Sequence, residues 1–257
     1  MKSMLLSEAV ECCERWLAPE RIRDYDGARN GLQVANRGRI HRIAAAVDAS
    51  LTTVRLAAAA GADLMIVHHG LFWSPRMPWT GPNYELLRAL LDHDIAVYSS
   101  HLPLDAHPRL GNSARLADAL GWRRPRRPFF FDQRNPAMAL GVQTTTRIDR
   151  AALVEQVGRA VNGPVRVIPG GPAVCRRIGI VTGGAGGEVA LAAREGVDTF
   201  ITGEGPHWTY ALAEELGLNV LYAGHYATET FGVRALAEKL AGNAGVPWVY
   251  LDHPTGL

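Results

Sequence analysis

Residues 42–70, RIAAAVDASLTTVRLAAAAGADLMIVHHG, align without a gap on residues 177–205, RIGIVTGGAGGEVALAAREGVDTFITGEG, at an offset of 135. Ten of the 29 positions are identical, including Gly61 with Gly196, Asp63 with Asp198 and Ile66 with Ile201. A second match follows each stretch. IAVYSSHLPLD, from Ile95, aligns with NVLYAGHYATE, from Asn219, at an offset of 124. It pairs Tyr98 with Tyr222, His101 with His225 and Asp105 with Glu229, and the segments ARLADAL and RALAEKL come next in turn. Two consecutive matches that keep a histidine and a carboxylate four residues on imply an internal duplication.

Working outward, apolar runs rich in Val and Ile alternate with Ala/Leu-rich helical segments. The pattern predicts strands at Ile43–Asp48, Leu64–Val67 and Ile95–Ser99. It predicts helices at about Leu51–Ala60, Tyr84–Leu91 and Ser113–Leu120, after a first surface helix and a turn-rich stretch from Asp24 to Gly38. Strands separated by helices of this length imply βαβ units and a largely parallel sheet. The fold class is therefore α/β: two similar α/β domains related by internal duplication, with mostly parallel βαβ units. Residues 121–136, GWRRPRRPFFFDQRNP, break the pattern with three prolines and five arginines. Prolines prevent a helix or central strand there, so the expected division is a first domain over 1–124, a connector over 125–136 and a second domain over 137–257. The arginines Arg123, Arg124, Arg126 and Arg127, interleaved with aromatics, also suggest a nucleic-acid patch.

The chain has 257 residues, 47% apolar and 20% charged, enough to bury a large core without disulfide or metal. Its 27 basic and 25 acidic residues leave a net charge of +2, so no global field draws it to nucleic acid or anionic lipid. No stretch reaches the roughly 18 apolar residues of a membrane span. The N-terminal helix carries Glu8, Glu11, Glu14 and Arg15 where a signal peptide would be apolar. With Cys12, Cys13 and Cys175 too few and too oddly placed for a disulfide framework, a cytoplasmic location is expected and the thiols are read as buried.

Polar residues collect at the predicted strand ends, where open α/β sheets bind ligands. One strand delivers His68 and His69, and the next delivers His101 and then Asp105. The corresponding ends of the second half deliver Glu204, then His225 and Glu229. Imidazole nitrogen and carboxylate oxygen suit Zn, Fe, Mn, Co or Ni. Six or seven such groups from two facing halves suggest two ions sharing a bridging carboxylate, between the domains. Adjacent strand residues point to opposite faces, so His68 and His69 either converge as the backbone turns into Gly70, serve one ion each, or divide into a ligand and a hydrogen-bonding neighbour. Gly183–Gly187 is a tight turn or a phosphate cradle. Thr202, Thr228 and Thr230 are read first as helix caps, with Thr228 kept as a substrate-binding candidate. His207, Trp208 and Tyr210 are read as packing at a helix start. Phe72 and Trp73 are read as a stacking platform or as buried packing. His41, His93, His107 and His253 lack a partner pattern and are assigned to solvent or local hydrogen bonds.

NGLQV from Asn30, GADLMIVHHGLFW from Gly61, SHLPLDAHPRLGN from Ser100, GVDTFITGE from Gly196 and AGHYATE from Ala223 resemble the signature segments of the Nif-three-like family. Bacterial members of that family are often labelled GTP cyclohydrolase I type 2 homologues. The resemblance covers essentially the whole chain and matches the compact form, which has no inserted middle domain. It implies a hexameric toroid, a trimer of dimers, with two divalent metal ions in each subunit. It also implies His68, His69, Asp105, His225 and Glu229 as ligands, with Glu229 bridging the ions. His101 is not in that ligand set; as the repeat's counterpart of His225 it is expected to orient a ligand or transfer protons.

The reaction expected is metal-dependent hydrolysis of a small nucleotide-like or phosphorylated molecule, in which two ions lower the pKa of a bridging water and spare groups move the proton. Two other readings come from different classes. A toroidal, metal-dependent nucleic-acid-handling protein would show steeply salt-dependent binding. A non-catalytic metal-binding scaffold would show a closed coordination sphere, whereas a catalytic site keeps open positions.

Overall fold

The structure is a computed structural model that describes residues 2–73, 78–122, 126–131 and 138–257. The chain forms two compact units. The first contains Met1–Leu104 and Gly232–His253, the second Asp105–Phe231 and Pro254–Leu257. The sequence reading cuts the chain once, around 125–136. In the structure the chain instead passes into the second unit after Leu104 and returns at Gly232.

In chain order the first unit holds β1 (Met4–Leu5), α1 (Leu6–Leu17), β2 (Gly31–Val34), β3 (Arg39–Ile40), β4 (Ile43–Asp48), α2 (Leu51–Ala59), β5 (Leu64–His69), α3 (Gly81–Asp92) and β6 (Ala96–Ser99). The short α4 (Leu102–Asp105) follows, ending at the first residue of the second unit. The five-stranded sheet runs β13-β4-β5-β6-β2, with β13 (Trp248–Tyr250) supplied by the returning segment. Every residue from Ile43 to Val47 and from Leu64 to His68 is buried. That continuous apolar run is what a strand covered on both faces requires. Helix α2 starts where Ser50 Oγ accepts Thr53 N–H at 3.2 Å and Thr53 Oγ1 accepts Ser50 N–H at 2.9 Å, a reciprocal cap. Met65, Val67 and Val97 pack on Val54, Ala57 and Leu90 of the covering helices.

The second unit holds α5 (Asn112–Ala119), β7 (Arg127–Phe131), β8 (Ala139–Asp149), α6 (Arg150–Val161), β9 (Arg166–Pro169), β10 (Val174–Ile180), α7 (Val189–Arg194), β11 (Thr199–Thr202), α8 (Thr209–Glu215) and β12 (Asn219–Tyr222). Helix α9 (His225–Ala244) begins in this unit. The sheet order is β7-β8-β10-β11-β12-β9. Only β10–β11 and β11–β12 are parallel among its described pairings; the other three are antiparallel. In the first unit's five-stranded sheet three of the four described pairings are parallel, as expected, whereas the second sheet is mixed because a polar arm, β8, joins it beside β10, so the fold as a whole is mixed α/β. The expected connector is also partly strand. Arg127–Phe131 pairs with β8 as the outermost strand, where Pro128 leaves no ladder position unmet in the centre of a sheet. Arg123, Arg124 and residues 132–136 of that stretch lie outside the described residues.

Within each unit the repeated segments make the same local bonds. Ile43 pairs with Leu64, and Ile178 with Thr199, both at the offset of 135. The Asp63 carboxylate accepts the N–H groups of His41 and Arg42, and the Asp198 carboxylate accepts those of Arg176 and Arg177. Gly61 and Gly196 both turn with positive φ, 67° and 82°. The second alignment segment differs by one residue. Leu64 pairs with Ala96 but Thr199 pairs with Asn219, an offset of 219 − 96 = 123. Ser100 N–H bonds to Val67 O and Ala223 N–H to Thr202 O, in the same register. In ladder register His101 therefore corresponds to Gly224, and Leu102, the first residue of α4, to His225, the first of α9. The pairing of His101 with His225 read from residue identity is displaced by one position.

Candidate metal centre

In the first unit, the carboxyl end of β5 carries His68 and His69, and the turn after β6 carries His101. His68 is fully buried and His101 is 8% exposed. The three rings lie 4.8–5.7 Å apart by centroid. Each offers a ring nitrogen, and the three nitrogens lie within 4.8 Å of one another. The strand-end histidines therefore converge instead of splitting to two faces.

Every ring is held by an oxygen at Nδ1. His68 Nδ1 lies 3.0 Å from Ser100 O, His69 Nδ1 2.8 Å from Asp48 Oδ1, and His101 Nδ1 2.8 Å from Asp24 Oδ1. A carbonyl or carboxylate at Nδ1 fixes the proton there and leaves the lone pair on Nε2, the arrangement that metal-binding histidines use. Asp24 is the principal residue that sequence reading missed. Its oxygens also accept Asn30 Nδ2, Leu102 N–H and Tyr25 N–H. Burial works to raise its pKa, yet the His101 ring, with Asn30 and the Tyr25 amide, outweighs burial and holds it below the ordinary value. Trp73 meets His101 edge-on at 4.6 Å and His69 at 5.6 Å, with Tyr25 5.9 Å from Trp73. Trp73 is thus a wall of the histidine cluster.

In the second unit, α9 places His225 and Glu229 one turn apart on one face. His225 Nδ1 lies 2.8 Å from Glu204 Oε1 and Nε2 3.2 Å from Glu229 Oε2. Burial works to lower the His225 pKa, but Glu229 and then Glu204 prevail and raise it to about 9. The ring is held protonated between two carboxylates, so a cation at Nε2 would replace that proton. Glu204 is the counterpart here of Asp48 and Asp24, a carboxylate that orients a ring. Asp105 is half-buried, and its Oδ1 accepts Asn112 Nδ2 at 2.9 Å. Gly183, at φ 72°, sits so close to Glu229 that a Cβ would lie 2.1 Å from Oε1. The glycine turn is a cradle for this carboxylate.

Thr228 is fully buried; its hydroxyl bonds Gly224 O and accepts Gly183 N–H, tying the glycine turn to the first turn of α9. Thr202 donates to Gly183 O. His207, Trp208 and Tyr210 are exposed, in contrast to the packing expected of them. His107 and His41 make local bonds, the former as acceptor for two backbone amides and the latter to Asp63. All three cysteines are buried. Arg126 is turned inward to pair with Asp118, which removes it from any basic surface patch. The donors, three imidazoles in the first unit and imidazole with carboxylate in the second, fit borderline divalent ions.

Comparison with known proteins gives the family described as Duf34/NIF3 (NGG1p interacting factor 3), whose profile matches residues 4–255. A Deinococcus radiodurans protein named GTP cyclohydrolase 1 type 2 homolog is 41% identical over 245 residues, covering 95% of this chain and 92% of that protein. A Halobacterium salinarum protein of the same name is 43% identical over 242 residues, covering 92% and 94%. Among solved structures, TTHA1606 from Thermus thermophilus matches with TM-score 0.89 and 35% identity over 99% of this chain and all of that one. Reduced HcgD from Methanocaldococcus jannaschii matches at 0.83 and 26%, covering 98% and 99%. Among the described residues, no helix is long and apolar enough to cross a membrane.

Proposed function

The chain belongs to the Duf34/NIF3 family, and on that premise we propose that it is a metal-dependent hydrolase of a small nucleotide-like or phosphorylated molecule. Two divalent ions, of Zn, Fe, Mn, Co or Ni, would be held by His68, His69, Asp105, His225 and Glu229. The observation that carries this reading is the common state of four imidazoles. His68, His69, His101 and His225 each have Nδ1 against an oxygen, at 2.8–3.0 Å, which directs Nε2 to a ligand or a proton. When bound, two such ions supply Lewis acidity and lower the pKa of water.

The protein's own residues do the rest. Asp24 sets the tautomer of His101, so that Nε2 can take a proton from the attacking water and pass it to the leaving group as the substrate bond breaks. Asn112 holds Asp105 in place. Glu204 orients His225, and Thr228 fixes the turn that admits Glu229. The matched Asp63 and Asp198 bonds and the shared β4–β5 and β10–β11 register support descent of the two units from one ancestral repeat. The family resemblance supports a cytoplasmic homohexamer, a trimer of dimers, whose mass light scattering would give as six copies.

Elemental analysis of protein purified without a polyhistidine tag tests the centre. About two equivalents of transition metal per chain are expected, and a His68→Ala/His225→Ala variant should lose them. A parent chain that neither carries nor takes up any of the five metals would overturn the hydrolase.

A further inference from the structure

A second concavity lies wholly within the second unit, a cavity of about 520 Å3 between α5 and the β7–β8 hairpin. That volume is in the range of small-molecule pockets. Its lining includes Asp105, one of the proposed metal ligands, together with Arg109, Arg126 and Arg127. The Arg126 side chain is only 4% exposed and is built in: it pairs with Asp118 and donates to Ala114 O at 2.7 Å and Trp122 O at 2.8 Å. Its buried Nε–H finds no acceptor among the described residues, leaving donor capacity at the wall. Asp118 matches the charge of Arg126, and among the described lining residues the exposed Arg109 and Arg127 stand against one carboxylate, Asp105, leaving surplus positive charge. The Nδ1 of the lining residue His107 accepts the N–H groups of Arg109 and Leu110, at 3.1 and 3.0 Å, which fixes the chain segment that carries Arg109.

The flat apolar part of the wall is costly to build. Phe130 adopts φ 68°, a conformation rare for bulky residues. It is held there because the Glu195 carboxylate accepts the N–H groups of both Phe130 and Phe131, at 2.8 and 2.9 Å. The turn of the backbone puts Phe129 and Phe130 together against Phe200 in the core and sends Phe131 outward, 40% exposed, to line the cavity. An aromatic face, an ordered set of donors and unmatched positive charge meet in one pocket.

We propose that this cavity binds a small molecule carrying a phosphate or similar anion on a flat apolar body, the ring on Phe131 and the anion at Arg109 and Arg127. The proposal rests on the hydrolase reading only in making Asp105 a metal ligand; it assigns the binding subsite for the part of the substrate that does not react. Naphthalene-2-phosphonate, which cannot be hydrolysed at phosphorus as an ester, is the probe. It would be titrated calorimetrically beside 2-naphthol and inorganic phosphate, on the protein as purified and after chelation. The phosphonate should bind at least tenfold more tightly than either partial probe. The Arg109→Ala/Arg127→Ala variant should lose at least tenfold for the phosphonate and little for 2-naphthol, while retaining its metal. Phe131→Ala should weaken both ring-bearing probes several-fold. Phosphonate binding that ignores the arginines and vanishes with chelation would place the anion on the metal and overturn the pocket, leaving the hydrolase intact. Loss of metal-binding capacity from the proposal's other half, with arginine-dependent binding retained, would overturn the hydrolase and leave the pocket.

Discussion

Asp24 takes four donors on two oxygens: His101 Nδ1 and Tyr25 N–H on one, Asn30 Nδ2 and Leu102 N–H on the other. In Asp24→Asn an NH2 group faces a donor and the charge is gone. The variant should lose about 1.5–3 kcal/mol in urea unfolding at pH 7, the usual cost of spoiling charge-assisted hydrogen bonds. The folded chain holds Asp24 below its ordinary value. Its contribution is therefore complete above the unfolded pKa, about 3.9, and is lost as pH falls through the lower folded value. The gap between wild type and Asp24→Asn should close below about pH 4, and a gap unchanged at pH 3 would argue against the assignment. Asn112 acts on Asp105 in a similar way, so Asn112→Ala should weaken metal uptake about 10- to 100-fold in competition with a chelating dye, with little effect on folding. Asp24 was hidden in the sequence because 77 residues separate it from His101, in a turn-rich stretch with no period to read. The histidines and carboxylates of the centre were visible because they recur at strand ends in both halves.

Elements with a strong hydrophobic period were legible in sequence almost to the residue. The strand expected at Ile43–Asp48 is β4 unchanged, and the helix expected at Leu51–Ala60 ends one residue early. Strands without an apolar run were not. β2 lies in the turn-rich stretch, is four residues long and begins at a glycine. β8 carries Gln143, Thr144, Thr145, Thr146 and Arg147, a polar run that hydrophobicity gives no reason to place in a sheet. Residue identity also misled by one position at β6 and β12, because matching Tyr98 to Tyr222 outweighed a backbone offset that leaves no trace in composition. The Asp63 and Asp198 bonds, by contrast, are repeated to the atom. Each carboxylate serves two amides at a strand entrance, so Asp63→Ala and Asp198→Ala should each cost about 1–3 kcal/mol. Thermal denaturation of both variants would check the parity; a large effect from one alone would show that the two strand entrances are not equivalent.

Across the whole molecule the thiols are withdrawn from solvent. Burial, with smaller contributions from Cys12 and Glu14, raises the Cys13 pKa to about 12. Cys12 and Cys175 are buried as well. Native protein at pH 8 should therefore react negligibly with an aromatic disulfide reagent, and the same protein in guanidinium should release three equivalents. Rapid reaction before unfolding would contradict the packing around α1 and β10. The centre's demands on the chain also extend past its donor atoms. At position 183 the backbone is left-handed and the space where a side chain would begin is already taken by Glu229. A saturation-mutagenesis map scored only by metal retention should thus show that glycine to be as intolerant as a ligand histidine. The centre would be mapped partly by a residue that has nothing to offer an ion except the room it leaves.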